Sequence, residues 1–216
     1  MSAIPASPSS DDYAAQGERD LSWLDASDPV ALFEAWLARA GDTEPNDPNA
    51  VTLATVDADG RPDARVVLLK GLSPSGFDIY TNSRSAKGEQ MRANPVAALC
   101  FHWKTQRRQV RVRGHVEPVG EAGSDAYFAT RARGSRLSAW ASKQSRPAES
   151  RAELVAAMES TEDRFAGTDV PRPPHWYGFR VRPDEIEFWQ DGAFRLHDRI
   201  LFTRAGEGWD RTRLYP

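Results

Sequence analysis

The chain has 216 residues, a formal net charge of −3 and one cysteine, Cys100. A chain of this length buries enough surface to fold without a disulfide or a structural metal, and a lone cysteine excludes an intrachain disulfide and any Cys-based zinc or iron–sulfur cluster. The slightly acidic balance lacks the basic footprint that non-specific nucleic-acid binding requires.

No basic segment followed by an apolar core opens the chain, and no run of 18 apolar residues occurs, so neither a signal peptide nor a membrane span is expected. The single thiol favours a reducing, cytoplasmic compartment. Residues 1–20, rich in Ser, Ala, Asp and Pro, read as a flexible arm ahead of one domain over 21–216. Asp28 and Pro29 supply an N-cap and a proline at the first helical position. Leu32, Phe33, Trp36 and Leu37 then form one apolar stripe, and Gly41 to Asn49 reads as a loop. Strands are predicted over 50–56, 65–70, 77–81, 96–103 and 109–116. The second of these is apolar between Arg65 and Lys70, the pattern of a strand buried on both faces. Alternation would send Arg65 and Lys70 to opposite faces. In the fifth, Val110, Val112 and Val116 alternate with Gln109, Arg111, Arg113 and His115.

One helix is predicted from Ser85 to Asn94, and three more over 121–130, 135–142 and 148–165. Pro171 to Pro174 is a stiff linker. Strands follow over 176–181 and 185–190, with a turn at Asp191 and Gly192. On the returning strand Arg195, His197 and Arg199 fall at period two and so share a face. A last hairpin spans 202–214, turning near Gly206 and Gly208. Strands in adjacent runs, with helices inserted late, indicate a mainly β fold with peripheral helices, an antiparallel barrel and not a βαβ fold.

Two arginines around an imidazole make a site for a phosphorylated or otherwise anionic ligand; the competing explanation is a solvated polar strand face. Tyr127 and Arg131, taken alone, form an ordinary i,i+4 pair on a helix, and Trp140 reads as core packing. The four histidines, at 102, 115, 175 and 197, lack metal-ligand spacing, and no metal is expected. Of the 28 basic residues only four are lysines, and two of these, Lys70 and Lys87, lie beside other polar motif residues.

The run Ile186-Glu187-Phe188-Trp189-Gln190, followed four residues later by Arg195-Leu196-His197-Asp198-Arg199, resembles the C-terminal signature of the pyridoxamine/pyridoxine 5′-phosphate oxidase family. Five further segments resemble that family in order. Arg65 to Lys70 looks like its flavin-phosphate strand, and Tyr80-Thr81-Asn82 with Ser85-Ala86-Lys87-Gly88 like its second phosphate segment. Arg108-Gln109-Val110 is similar to the strand that holds the flavin ring. Tyr127-Phe128 with Arg131 and Ser135 is similar to its substrate-phosphate helix, and Ala139 to Ser145 is a family-like block.

The resemblance implies an antiparallel split β-barrel, a homodimer that binds FMN where the subunits meet. It implies oxidation of pyridoxine or pyridoxamine 5′-phosphate to pyridoxal 5′-phosphate, with dioxygen as acceptor and without nucleic acid or membrane as partner. FMN contacts would fall to Arg65, Val66, Val67, Leu68, Leu69, Lys70, Tyr80, Thr81, Lys87, Gln109, Gln144, Ser145, Trp189 and Arg199. Substrate contacts would fall to Lys70, Tyr127, Arg131, Ser135, Arg195, Leu196 and His197, with Arg195 and His197 catalytic. The alternatives are a split-barrel flavin or deazaflavin enzyme with another substrate, and a non-catalytic flavin or pyridoxal-phosphate carrier. Two positions depart from the family pattern. Ala86 stands where an arginine is usual, with Arg84 nearby as a substitute. The arm reads Ser10-Asp11-Asp12-Tyr13, with acids where a cation is expected.

Overall fold

Asp28 begins the first long helix as its composition predicts: its carboxylate accepts from the N–H groups of Val30 and Ala31, with Pro29 in the first turn. The computed structural model describes residues 9–14 and 19–216. Within them the order is α1 (Ser10–Ala14), α2 (Pro29–Thr43), β1 (Ala50–Val56), β2 (Pro62–Leu68), β3 (Gly71–Ser73), β4 (Gly76–Asn82) and α3 (Ala86–Ala93). Then come β5 (Val96–Trp103), β6 (Arg108–Pro118), α4 (Glu121–Thr130), α5 (Arg133–Ala141), α6 (Arg151–Arg164), β7 (Trp176–Gln190), β8 (Asp198–Ala205) and β9 (Gly208–Arg213). The strands make one sheet in the order β2-β1-β5-β6-β7-β4-β3, with β8 added to β7 and β9 to β8. The pairs β3/β4, β4/β7, β7/β8 and β8/β9 are antiparallel. The chain thus has the expected mainly β architecture with peripheral helices.

Strand β7 is central to this sheet. Trp176 to Val181 pairs with β4, and Glu185 to Gln190 pairs with β8. The two strands predicted here are one continuous strand. Gly114 of β6 admits its backbone: a Cβ there would lie 1.8 Å from the carbonyl oxygen of Arg182.

The chain divides into two units. The first holds the N-terminal segment to Ala50, Leu99–Val112 and Asp184–Pro216; the second holds Val51–Ala98 and Arg113–Pro183. The first is built on aromatic packing. Phe33 meets Phe101 at 4.8 Å, Trp36 meets Phe188 at 5.2 Å and Trp23 at 5.1 Å, and Phe188 meets Phe202 at 5.8 Å. Phe33, Phe101 and Phe188 are fully buried, and each such ring is worth about 3–5 kcal/mol against truncation. The second unit has two helix-covered clusters. One joins Phe128, Ala139 and Trp176 to Tyr80 and Tyr127; the other joins Leu137, Phe165 and Val170 to Trp140 and Met158. Trp140 therefore packs as expected, and its indole N–H also donates to the Pro171 carbonyl at 2.7 Å.

Several sequence expectations need correction. Helix α2 runs through Gly41 to Thr43, because its apolar stripe continues to the buried Ala40. Strand β2 is not buried on both faces. It lies at the end of the sheet order, and Val66 is 67% exposed; an apolar run reports affinity for a covered face and cannot say that the same chain covers it. The strand ends at Leu68, so alternation does not govern Lys70, whose N–H bonds the Asp78 carbonyl at 2.9 Å. The expected arm falls in part on residues 1–8 and 15–18, outside the described residues. Ser10–Ala14 is helical, with the Tyr13 ring 4.9 Å from Phe194.

Candidate functional site

The second unit carries a cavity of about 430 Å³. Strand β2 and its exit supply Arg65, Val66, Val67, Leu68 and Lys70; β4 supplies Tyr80, Thr81 and Asn82; α3 supplies Lys87. Residues Tyr127 and Arg131 come from α4 and its C-cap, Ser138, Ala139, Ser142 and Gln144 from α5 and beyond, and Trp176 from β7. Four of these side chains are cationic and none is a carboxylate. That is an anion site by composition, since cations gathered without a carboxylate in the lining favour an anionic ligand.

Each cation is held differently. Arg65 Nη1 donates to Thr55 Oγ1 at 2.6 Å and to the Leu53 carbonyl at 3.2 Å, and its Nη2 donates to Gln90 Oε1 at 3.1 Å. Asp63 pairs with the same guanidinium from outside the lining. Lys87 lies in the first turn of α3. Ser85 caps this helix by accepting from Gly88 N–H, and its hydroxyl donates to the Asn82 carbonyl at 2.6 Å. Burial first, and then the Arg65 charge, lower the Lys87 pKa below its ordinary 10.5, against a smaller opposing effect of Asp63. Arg131 stacks over Trp176, 4.6 Å from the ring centroid, and its Nη1 is buried without a hydrogen-bond partner among the described residues. A buried, unsatisfied guanidinium N–H costs free energy unless an acceptor arrives. Tyr127 stacks on Tyr80 at 4.1 Å, forming an aromatic wall beside it. Thr81 Oγ1 donates to Gln144 Oε1 at 3.1 Å, tying β4 to the segment after α5.

Three predicted residues of this unit lie outside the lining. Leu69 is buried in the core at 5% exposure. Ser135 is exposed on α5, and Ser145 is exposed with a left-handed φ of 69°. Arg84, offered as a substitute for the arginine absent at Ala86, does not line this cavity; it borders a second one with Lys143, Arg146 and His175. Asn82, Ser138, Ala139, Ser142 and Trp176 line the site without having been selected. Asn82, Ala139 and Ser142 had a signal, since each sits within a segment that resembles the family.

The remaining predicted residues belong to the first unit. Pairing of Trp189 with Arg199 across β7 and β8 puts both on one sheet face, with Glu187 two residues along. Arg111 of β6 reaches the Glu187 carboxylate, and Gln109 lies two residues before Arg111 on the same face. The segment between the strands corrects the sequence reading. Arg195 and His197 are not on the returning strand with Arg199, which begins only at Asp198. They lie in a seven-residue loop, 191–197, closed by a 3-10 turn at Ala193–Arg195. Phe194 and Arg195 both have left-handed backbones, with φ of 53° and 65°. Period-two spacing cannot reveal such a turn, because neither residue is Gly or Asn.

His197 rests on the Trp189 ring at 4.7 Å. Its Nδ1 lies 3.1 Å from Gly192 N and 3.1 Å from Asp191 Oδ1. One ring nitrogen cannot accept from the first and donate to the second together. The ring nitrogen therefore serves one partner or the other, and both hold the imidazole in place. Gly192 is required here, since a Cβ would lie 1.9 Å from the Leu196 carbonyl oxygen.

A mainly antiparallel sheet protein with helices at its edges, a cation-lined cavity and an Arg/His loop beside a tryptophan is the class that these features define. Two family models match, one described as pyridoxamine 5′-phosphate oxidase over residues 38–165 and one as the pyridoxine 5′-phosphate oxidase C-terminal dimerisation region over 176–216. The chain belongs to the pyridoxamine 5′-phosphate oxidase family. A pyridoxine/pyridoxamine 5′-phosphate oxidase of Hyphomonas neptunium is 58% identical over 217 residues, covering 100% of this chain and 99% of its own. The protein of that name from Azorhizobium caulinodans is 60% identical over 193 residues, 88% of this chain and 91% of its own. Among solved structures, PhzG from Burkholderia lata 383, in complex with tetrahydrophenazine-1-carboxylic acid, superposes with a TM-score of 0.85 at 30% identity. It covers 92% of this chain and 98% of its own. A pyridoxamine 5′-phosphate oxidase-related, FMN binding protein from Nostoc punctiforme shares the fold, with a TM-score of 0.70 at 19% identity over 89% of this chain and all of its own. Among the described residues no helix is long and apolar enough to cross a membrane, and no group of three His, Cys, Asp or Glu could hold a metal.

Proposed function

We propose that the protein is an FMN-dependent oxidase that converts pyridoxine or pyridoxamine 5′-phosphate to pyridoxal 5′-phosphate, acting as a homodimer in the cytoplasm. The observation that carries this reading is the cavity with four cations and no carboxylate, one of whose guanidinium N–H groups is buried without an acceptor. Two phosphate groups, one on FMN and one on substrate, match that surplus. Arg65 and Lys87 hold the FMN phosphate by charge-assisted hydrogen bonds, with Thr81 and Gln144 beside them. Arg131 receives the substrate phosphate on its free edge, backed by Trp176, with Tyr127 alongside. Lys70, at the exit of β2, adds a further cation for either group. Gln109, Trp189 and Arg199 present an amide, a ring face and a cation to the flavin ring; an amide offers both a donor and an acceptor to its mixed edge.

When bound, FMN supplies a two-electron acceptor whose reoxidation by dioxygen yields hydrogen peroxide. The chain's own contribution is placement and charge. Arg195 offers a fixed cation and a planar donor set near the reacting carbon. His197, held by Gly192, Asp191 and the Trp189 ring, offers its imidazole to place substrate and to handle a proton. With the amine substrate, water and loss of ammonia complete the product.

The test is to purify the protein, identify the released chromophore by mass, and assay both phosphorylated vitamers under oxygen with peroxide detection. FMN and turnover with peroxide are expected. Arg131→Leu should raise KM by roughly tenfold or more, the worth of one charge-assisted hydrogen bond, while FMN is retained. Recovery of a deazaflavin, or bound flavin without turnover of either vitamer, overturns the reading.

A further inference from the structure

Between the two arginines Arg111 and Arg199 lies an acid for which the proposed function has no use. Glu187 is 5% exposed. Its Oε1 accepts from Arg199 Nε at 2.8 Å, and its other oxygen accepts from Arg111. The Arg199 guanidinium is tied a second time, since Nη1 donates to the Tyr215 carbonyl at 2.7 Å. Two of its three nitrogens are thus committed within the protein, and two anchors fix the plane of the group. Only Nη2 remains for a ligand among the described contacts.

We propose that Glu187 is a positioning residue: by anchoring Nε it sets the guanidinium of Arg199 in the plane, and with the free edge, that the flavin meets. This rests on the reading above, in which Arg199 contacts FMN.

Two physical points favour positioning over an ordinary strand-to-strand ion pair. The first is cost. Burial by itself would raise the Glu187 pKa, but hydrogen bonds from Arg199 and Arg111, with their charges, outweigh it and the net direction is down. The carboxylate therefore stays ionised at neutral pH, a buried charge beside a site for an anionic cofactor. The second is sign. By charge alone, Glu187 partly cancels Arg199 and weakens attraction for FMN. By geometry it strengthens binding, because an arginine already held in its bound orientation loses little side-chain freedom when the ligand arrives. Charge and geometry thus predict opposite changes when the carboxylate is neutralised.

The experiment is a fluorescence titration of FMN into apo protein for wild type, Glu187→Gln, Arg199→Leu and the double variant, each checked for its thermal transition. Positioning predicts that Glu187→Gln weakens FMN binding by about 5- to 30-fold, within the span of about 2- to 150-fold found for directly coupled pairs. In the Arg199→Leu background the same change should alter Kd by less than about twofold. Glu187→Asp keeps the charge but shortens the reach, and should also weaken binding; it serves if Glu187→Gln does not fold. Unchanged or tighter FMN binding in Glu187→Gln overturns the proposal, as does an undiminished loss in the Arg199→Leu background. Wild-type affinity in Arg199→Leu alone overturns instead the reading that Arg199 meets the flavin.

Discussion

Lys87 is a cation of the cavity that can lose its proton. Its pKa lies below 10.5, chiefly through burial and then through Arg65, and a phosphate dianion placed against it would push the value back up. Over the pH range between the lowered value and 10.5, binding must therefore take up a proton. The sign follows from linkage: FMN affinity falls as pH rises, by at most about tenfold per pH unit. Arginine keeps its charge throughout, so Lys87→Arg should flatten the alkaline part of the profile. FMN titrations from about pH 7 to 10 on both proteins measure the difference; parallel profiles would assign the proton elsewhere. Glu187 marks the limit of sequence reading at this scale. Nothing about a glutamate in Ile-Glu-Phe-Trp distinguishes an ion-paired anchor from a solvated strand residue. Its partner Arg111 lies 76 positions away, and only pairing of the strands brings them together.

The loop 191–197 is the element where geometry and chemistry are most tightly joined. It holds two consecutive left-handed, non-glycine residues, one of them Arg195, and such conformations cost of order 1–3 kcal/mol each. Gly192 permits the loop to close on itself. Gly192→Ala should force it open at a cost of about 1–3 kcal/mol and displace Arg195. Its kinetic effect should then resemble that of Arg195→Leu, for which kcat/KM is expected to fall at least about 100-fold. In both variants FMN affinity should stay within about threefold of wild type. Steady-state kinetics on flavin-saturated proteins decide this, and normal kinetics in Gly192→Ala would mean that Arg195 does not depend on the closed loop. This element was the least legible from sequence. The residue types for anion recognition were plain, but alternation suggested a strand where the backbone turns through the left-handed region. Elements bounded by strong local chemistry fared otherwise. The predicted bounds of β1, β5 and α4 coincide with those observed, and Ser85 and Asn94 are the caps of α3.

At the level of the whole molecule, the apolar side chains left uncovered point to assembly. Val66 and Leu68 are exposed on β2, and Phe194 and Leu196 on the 191–197 loop, while residues 176–216 match a dimerisation region. Light scattering at micromolar concentration should give about twice the chain mass of 24.0 kDa. A monomer that still binds FMN tightly would refute the dimer. The apolar character of β2 was visible in the sequence. That this face is left for another surface was not, because burial by a second chain and burial by one's own leave the same residue pattern.

The fifteen residues of β7 serve two partners in succession, β4 along the first half and β8 along the second. Side chains alternate with every step, so Trp176, in a buried cluster, and Trp189, thirteen positions on, belong to opposite parities. Inserting or deleting one residue between them would exchange inward and outward side chains for everything downstream, unless a bulge absorbed it. Length along this strand is in effect counted in pairs. An odd change needs a compensating bulge, whereas the exposed connection at Pro147 and Ala148 can gain or lose residues one at a time.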